Sequence, residues 1–330
     1  MRRHGDTGRG GVAARRRCAA APRPEPRKAY FAVGSERLLM TVTKVVDTSC
    51  RLGEGPVWHP DEKRLYWVDI ESGRLHRYDP ETGAHDRPVE TSVIAGVTIQ
   101  RDGSLLAFMD RGRVGRVVDG ELTGVTEIVD SPTRFNDVIA DPAGRVFCGT
   151  MPSDTAGGRL FRLDTDGTVT TVETGVGIPN GMGFTRDRER FYFTETEAHT
   201  IYRYAYDEET GAVSARERFV ESPETPGLPD GMTVDSAGHI WSARWEGGCV
   251  VEYDADGTEL DRFDVPTEKV TSVAFGGTDL DSLYVTTAGG DGDGSAGEGD
   301  ESTGDAAGAL FRLDVAATGR PEFRSDVRLG

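Results

Sequence analysis

Lysine is almost missing from most of this chain. Beyond residue 39 it occurs only at Lys44, Lys63 and Lys269, and arginine carries the rest of the positive charge. Residues 40–330 hold 28 basic side chains against 53 acidic ones. Such a body repels nucleic acid, and its composition suits a halophilic protein kept in solution at high salt, where carboxylate repulsion is screened. Cysteine is scarce too: Cys18, Cys50, Cys148 and Cys249 are widely spaced and form no CxxC pair. That usage fits a reducing, cytoplasmic setting. Cys148 and Cys249 read as small buried hydrophobes, and Cys50 as packing rather than a ligand. No apolar run is long enough to cross a bilayer, and helical periodicity is absent. Neither a Ser-His-Asp order nor a Gly-x-Ser-x-Gly elbow is present, which argues against a serine hydrolase.

What is present is repetition. GEGPVW (Gly53–Trp58), FNDVIA (Phe135–Ala140), PNGMGF (Pro179–Phe184) and PDGMTV (Pro229–Val234) each set an oxygen-bearing side chain ahead of an apolar, strand-like run. The four side chains are Glu54, Asn136, Asn180 and Asp230. After each comes a turn and a second strand centred on an aromatic, at Tyr66, Phe147, Tyr192 or Trp241. AGVTIQRDGSLLAF (Ala95–Phe108) and TSVAFGGTDLDSLYV (Thr271–Val285) keep the spacing without the polar head group. A third strand recurs as GRLHRYD, GRLFRLD, TIYRYAYD, GCVVEYD and GALFRLD, followed by a turn and a weaker fourth strand. A period of roughly 40–50 residues with several strands per unit marks a β-propeller. The expected fold is therefore all-β: a six-bladed β-propeller with four antiparallel strands per blade around a central metal-binding channel, its units filling nearly all of Val46–Leu329.

Two segments stand apart. Residues 1–39 are basic, rich in Arg, Gly, Pro and Ala, and lack an export-type apolar stretch, so they read as a disordered tail or an over-extended start. Residues 40–330 form the propeller, and TVTKVVDT (Thr41–Thr48) alternates like a strand. Within it, 289–308 is acidic and glycine-rich, an insertion between the second and third strands of the sixth unit.

Taken singly, Asn180–Gly181 and Asp230–Gly231 are ordinary turn signals, and Glu54 is an ordinary surface acid. Their common phase argues otherwise, since equivalent positions of a ring meet at its axis. Two carboxylates and two amide oxygens, with no thiol or imidazole, describe a site for one hard divalent cation: calcium, magnesium or manganese, with zinc also compatible. The histidines show no ligand spacing. Trp58, Trp67, Trp241 and Trp245 are candidates for stacking on a sugar face, but three of the four fall within strand cores and read as packing.

RLGEGPVW, RFNDVIADPAGRVFCGTM, IPNGMGF and LPDGMTVDSAGHIW resemble the SMP-30/gluconolactonase/regucalcin family, in order and spacing, from about Leu52 to Leu313. The resemblance implies a six-bladed propeller that binds one divalent cation and hydrolyses sugar lactones. It implies Glu54, Asn180 and Asp230 as metal ligands, and Asn136 as a ligand or a substrate contact beside the metal. Arg134 and Asn136 match residues that hold the sugar, and Asp154 occupies the place of a family glutamate in substrate binding.

The function expected is a metal-dependent lactonase opening an aldonolactone such as glucono-, xylono- or arabinolactone, with Asp230 as general base and Asp137 in reserve. The partner is then a small sugar lactone, with no nucleic acid or membrane, and the chain a monomer or weak homo-oligomer. Hydrolysis of another activated ester, or a calcium-binding scaffold without turnover, are the alternatives.

Overall fold

The computed structural model describes residues 41–222, 226–290 and 306–329. The basic segment 1–39 and most of the acidic insertion lie outside them. The described residues form six four-stranded sheets, antiparallel throughout and without a helix. Each innermost strand touches the innermost strands of the blades on either side, and the contacts close into a ring. This is a six-bladed β-propeller.

Burial falls from the axis outward. The inner strand Pro179–Phe184 is buried at every position, whereas the outer strands Glu121–Glu127 and Val213–Glu221 are mostly exposed. That gradient explains why the fourth strand of each unit reads weakly in the sequence: it has one packed face at most. Aspartates shape the turns. The Asp141 carboxylate accepts the backbone N–H groups of Ala143 (2.9 Å) and Arg145 (2.8 Å), and Asp235 accepts those of Ala237 (2.9 Å) and His239 (2.8 Å).

Five of the six innermost strands break register near one shared place, four of them at a head group. Glu54 pairs with Val68 but Val57 with Tyr66; Phe135 pairs with Thr150 but Val138 with Cys148. Likewise Pro179 pairs with Glu195 but Met182 with Phe193, and Pro229 with Arg244 but Met232 with Ser242. In each case one strand has an extra residue, a β-bulge, which re-aims side chains. The four head groups sit at these bulges. The second blade, which has no head group, pairs without interruption from Gly96 to Ile99.

Gly181 and Gly231, which follow two of the head groups, are not turn residues. A Cβ on Gly181 would lie 2.6 Å from the Asp230 carbonyl oxygen, and one on Gly231 would lie 2.5 Å from the Ser272 Cβ. Adjacent inner strands approach too closely there for any side chain.

The sixth blade departs from the sequence reading. Its inner three strands are Val270–Gly276, Ser282–Thr287 and Leu310–Asp314, but its outermost is Val42–Val46, from the other end of the described chain. The ring is thus closed by hydrogen bonds between distant segments, which covers the edge of Leu310–Asp314. Residues 315–329, which the repeat assigned to a fourth strand, instead cross the face opposite the head groups. Gly319 N–H donates to the Leu280 carbonyl (2.7 Å), Thr318 accepts from Ser236 N–H (2.8 Å), and an Arg320 Nη2–H donates to the Phe184 carbonyl (2.6 Å). Asp326 N–H donates to Gly144 (2.8 Å), Ser325 N–H to Ile99 (2.8 Å), and Arg324 pairs with Asp61 (2.7 Å). This strap touches all six blades.

Removing residues 1–39 should leave the melting temperature unchanged. Removing residues 1–46 exposes a strand edge and should lower it by several degrees, as read by circular dichroism. Equal melting of the two truncations would show that Val42–Val46 contributes nothing to closure.

Candidate active site

The bulges deliver their side chains to one end of the channel. A pocket of about 350 Å³ there is lined by Glu54, Arg134, Asn136, Asn180, Thr196 and Asp230, with Leu52, Met151, Ile178, Leu228 and Trp245 as its apolar wall. The four head groups, far apart in the chain, are all buried. Trp58, Trp67 and Trp241 lie in the core, and Trp245 is the tryptophan that reaches the pocket.

A hydrogen-bond chain fixes the amides. Asn136 Nδ2 donates to the Pro179 carbonyl (2.9 Å) and to Asn180 Oδ1 (3.0 Å), while its own Oδ1 accepts from Arg134 Nη1 (2.5 Å). Asn180 Nδ2 donates to Thr196 Oγ1 (3.0 Å), and that hydroxyl donates to the Pro229 carbonyl (2.8 Å). Because Thr196 uses its single proton on Pro229, it can only accept from Asn180, which sets the orientation of the Asn180 amide. Arg134 Nη1 also donates to the Phe135 carbonyl (3.0 Å). The rest of its guanidinium makes no hydrogen bond among the described residues.

The electrostatics are lopsided. Glu54 accepts the Gly55 N–H (3.0 Å), yet burial first and the Asp137 charge second push its carboxyl up to about 8. Asp230 is raised well above the usual carboxylate range by burial, then by Glu54 and Asp137. Its Oδ1 is buried without a hydrogen-bond partner. Arg134 opposes both shifts but is itself desolvated.

Asp137 faces the other way along the same strand. It lines a second cavity of about 90 Å³ together with Arg320 and Glu322 of the strap. Burial raises Asp137 to about 6 and Glu322 to about 7. Asp154 is not brought to the head groups: it is exposed and lines a separate depression with Glu195 and Glu197.

Two further clusters escape sequence spacing because strand pairing builds them. Cys50, Asp69 and His76 gather in the first blade, and Asp235, His239 and Glu252 in the fifth. In the first, Asp69 accepts the Leu52 N–H (3.0 Å) and Arg51 N–H (3.3 Å). Burial holds the Cys50 thiol up at about 11 and the His76 imidazole down at about 4, so both are neutral. In the second, His239 Nδ1 lies 2.8 Å from Glu252, and Trp241 Nε1–H donates to Asp235 (3.1 Å). Both are internally satisfied packing clusters.

Residues 52–289 match the model of the SMP-30/Gluconolactonase/LRE-like region. The chain belongs to this family. It is 96% identical over 291 residues to a pentonolactonase, XacC, of Haloferax volcanii, a match covering 88% of this chain and all of that one. Among solved structures, a luciferin-regenerating enzyme superposes with a TM-score of 0.79 at 27% identity, covering 87% of this chain and 100% of that one. A calcium-binding protein, regucalcin, from Agrobacterium tumefaciens gives 0.77 at 28% identity, covering 86% and 96%.

Members of the SMP-30/regucalcin family bind a divalent metal, and the residues present here fit one. Glu54 and Asp230 are buried with the Arg134 charge acting on both, and Asp230 Oδ1, unpartnered among the described residues, lacks what a hard cation would supply. Asn180 Oδ1 has a lone pair free beyond its bond from Asn136. Asn136, in contrast, gives its oxygen to Arg134 and its nitrogen to Asn180, and so orients a donor.

A cation has to displace the protons that burial keeps on these carboxyls. Titration near pH 7 should therefore release about one proton or more per cation, measured by calorimetry in buffers of different ionisation enthalpy, and affinity should climb as pH rises through about 8. The sign for stability is the reverse. With its folded-state pKa raised, Glu54 makes the metal-free protein less stable as pH rises from the usual carboxyl value toward 8. Absence of proton release would contradict the burial described.

Proposed function

We propose that the axial pocket opens the ring ester of a pentonolactone, using one divalent cation held by Glu54, Asn180 and Asp230, with Asn136 beside it. The chain is a lactonase, a carboxylic ester hydrolase acting on sugar lactones. The observation that carries this is the 96% identity to a pentonolactonase along that protein's whole length. The pentose preference rests on that relative's name, and the metal requirement on the buried, undercompensated carboxylates.

A bound cation supplies Lewis acidity, polarising the ester carbonyl and acidifying an adjacent water. The chain supplies the rest. Asp230, which lines the pocket, accepts the proton as water oxygen adds to the carbonyl carbon. The bond from that carbon to the ring oxygen then breaks, and the proton passes to the ring oxygen, leaving the open-chain hydroxy acid. Asp137 is less suited to this step, because it lines the second cavity and not the head-group pocket. Arg134 is anchored through one nitrogen and offers its remaining donors to the sugar's hydroxyls and carbonyl. The apolar wall with Trp245 excludes water from the carbon faces of the ring. Asp154 has no part in this reading, standing outside the pocket.

The partner in this reading is a small sugar lactone, as for the related lactonases. The free, buried thiols Cys50, Cys148 and Cys249 support a cytoplasmic setting.

Metal-stripped protein with single cations restored, assayed by proton release on pentono- and hexonolactones, tests the proposal. Pentonolactones should turn over fastest, and only with a cation added. Asp230→Asn should lower kcat by roughly 100- to 10,000-fold with the circular dichroism spectrum unchanged, and Arg134→Ala should raise KM more than it lowers kcat. Wild-type turnover in the stripped protein, or full activity of Asp230→Asn, would overturn it.

A further inference from the structure

The carbonyl just before three of the four head groups is held from a neighbouring blade. The Gly53 carbonyl, preceding Glu54, accepts from Thr271 Oγ1 at 2.5 Å. The Pro179 carbonyl, preceding Asn180, accepts from Asn136 Nδ2 at 2.9 Å. The Pro229 carbonyl, preceding Asp230, accepts from Thr196 Oγ1 at 2.8 Å. These three bonds cross from the sixth blade to the first, from the third to the fourth, and from the fourth to the fifth. Each grips the chain at the mouth end of a bulge, where the sheet ladder is interrupted.

We infer that Thr196 and Thr271 are positioning residues of the cation site, with Thr196 setting two ligands at once. The inference rests on the metal reading above. Thr196 is 4% exposed and Thr271 fully buried, so neither serves a surface role. Thr271 occupies the sixth blade's own bulge, between Val270 and Ser272, the counterpart of the head-group position in the other blades. There a hydroxyl replaces a ligand and is turned sideways onto Gly53. Thr286 Oγ1, 2.9 Å away, braces it.

Thr196 works by a different chemistry. Its hydroxyl oxygen accepts Asn180 Nδ2 and its proton goes to Pro229, so the Asn180 oxygen and the Asp230 backbone are set through one atom. Without that acceptor only the bond from Asn136 Nδ2 still resists a turn of the Asn180 amide, which would point its NH2 toward the cation, a repulsive arrangement for a hard-ion site. Valine in place of Thr196 has nearly the same shape and cannot accept, whereas serine keeps the oxygen.

The test is calorimetric titration of metal-stripped protein with Mn2+ and Ca2+, alongside melting of the metal-free form. Outer-shell partners are typically worth 10- to 100-fold in metal affinity. Thr196→Val should weaken binding of whichever cation binds the wild type by about that factor, and Thr196→Ser should recover most of it. Thr271→Val should weaken it by a smaller factor, because it moves Glu54 only through the backbone. Thr98→Val removes another buried hydroxyl, bonded to Ser325 (2.9 Å) at the opposite face. It should lower the melting temperature and leave cation affinity unchanged. Wild-type affinity in Thr196→Val would overturn the inference alone, as would equal loss in Thr98→Val, which would mark a merely structural effect. A wild type that binds neither cation would sink the metal reading and this inference together.

Discussion

Carboxyl groups are concentrated on the axis of this protein, buried from water, with Arg134 as the charge that favours their ionisation. Glu54, Asp137 and Asp230 act on one another electrostatically, and Arg134 is the cation that opposes the shifts of Glu54 and Asp230. Burying carboxylates in this way costs folding free energy unless a cation or protons neutralise them. A fold selected for stability alone would fill the axis with apolar side chains, as the rest of the inner strands do. The site is therefore where stability yields to chemistry, and its geometry must be held by groups that do not themselves meet the ligand.

Much of the architecture serves that holding. The bulges turn side chains that a regular strand would send between the sheets, and the glycines beyond them let neighbouring strands close up. Hydrogen bonds from Thr271, Asn136 and Thr196 then fix the backbone between blades. At the other face the strap reaches each blade in turn, so ring closure is secured at both ends: by Val42–Val46 at the rim and by residues 315–329 across the base. A ring closed so firmly has little freedom to reshape around a ligand. That favours a pre-formed pocket over one assembled on binding.

The sequence made the repeat and the head groups legible because both are matters of spacing, and a propeller turns equal spacing into a shared axis. Glu54, Asn136, Asn180 and Asp230 could be found together for that reason. What spacing could not convey depends on contacts between distant residues. Thr196 binds a carbonyl 33 positions away and Thr271 one 218 positions away, and neither carries a local mark. The strap was misread because nothing in a polar, proline-containing stretch separates an outer strand from a segment crossing a face. Val42–Val46 looked like a strand, but its partner at Leu310–Asp314 lay at the other end of the sequence. Asp154 was placed by motif position, and motif position does not encode which way a loop carries its side chain.

The division of labour between Asn136 and Asn180 shows how far identity of residue type can mislead. Both are asparagines at the same phase, and composition alone makes them equivalent oxygen donors. The bonds distinguish them. Asn136 has its oxygen on Arg134 and its nitrogen on the next blade, so it links the residue that would hold the sugar to the one that would hold the cation. Asn180 has its nitrogen occupied by Thr196, which leaves its oxygen for the pocket. The arrangement couples substrate side and cation side through one side chain. On the reading proposed above, a displacement of Arg134 on engaging a lactone would reach Asn180 through the two hydrogen bonds of Asn136.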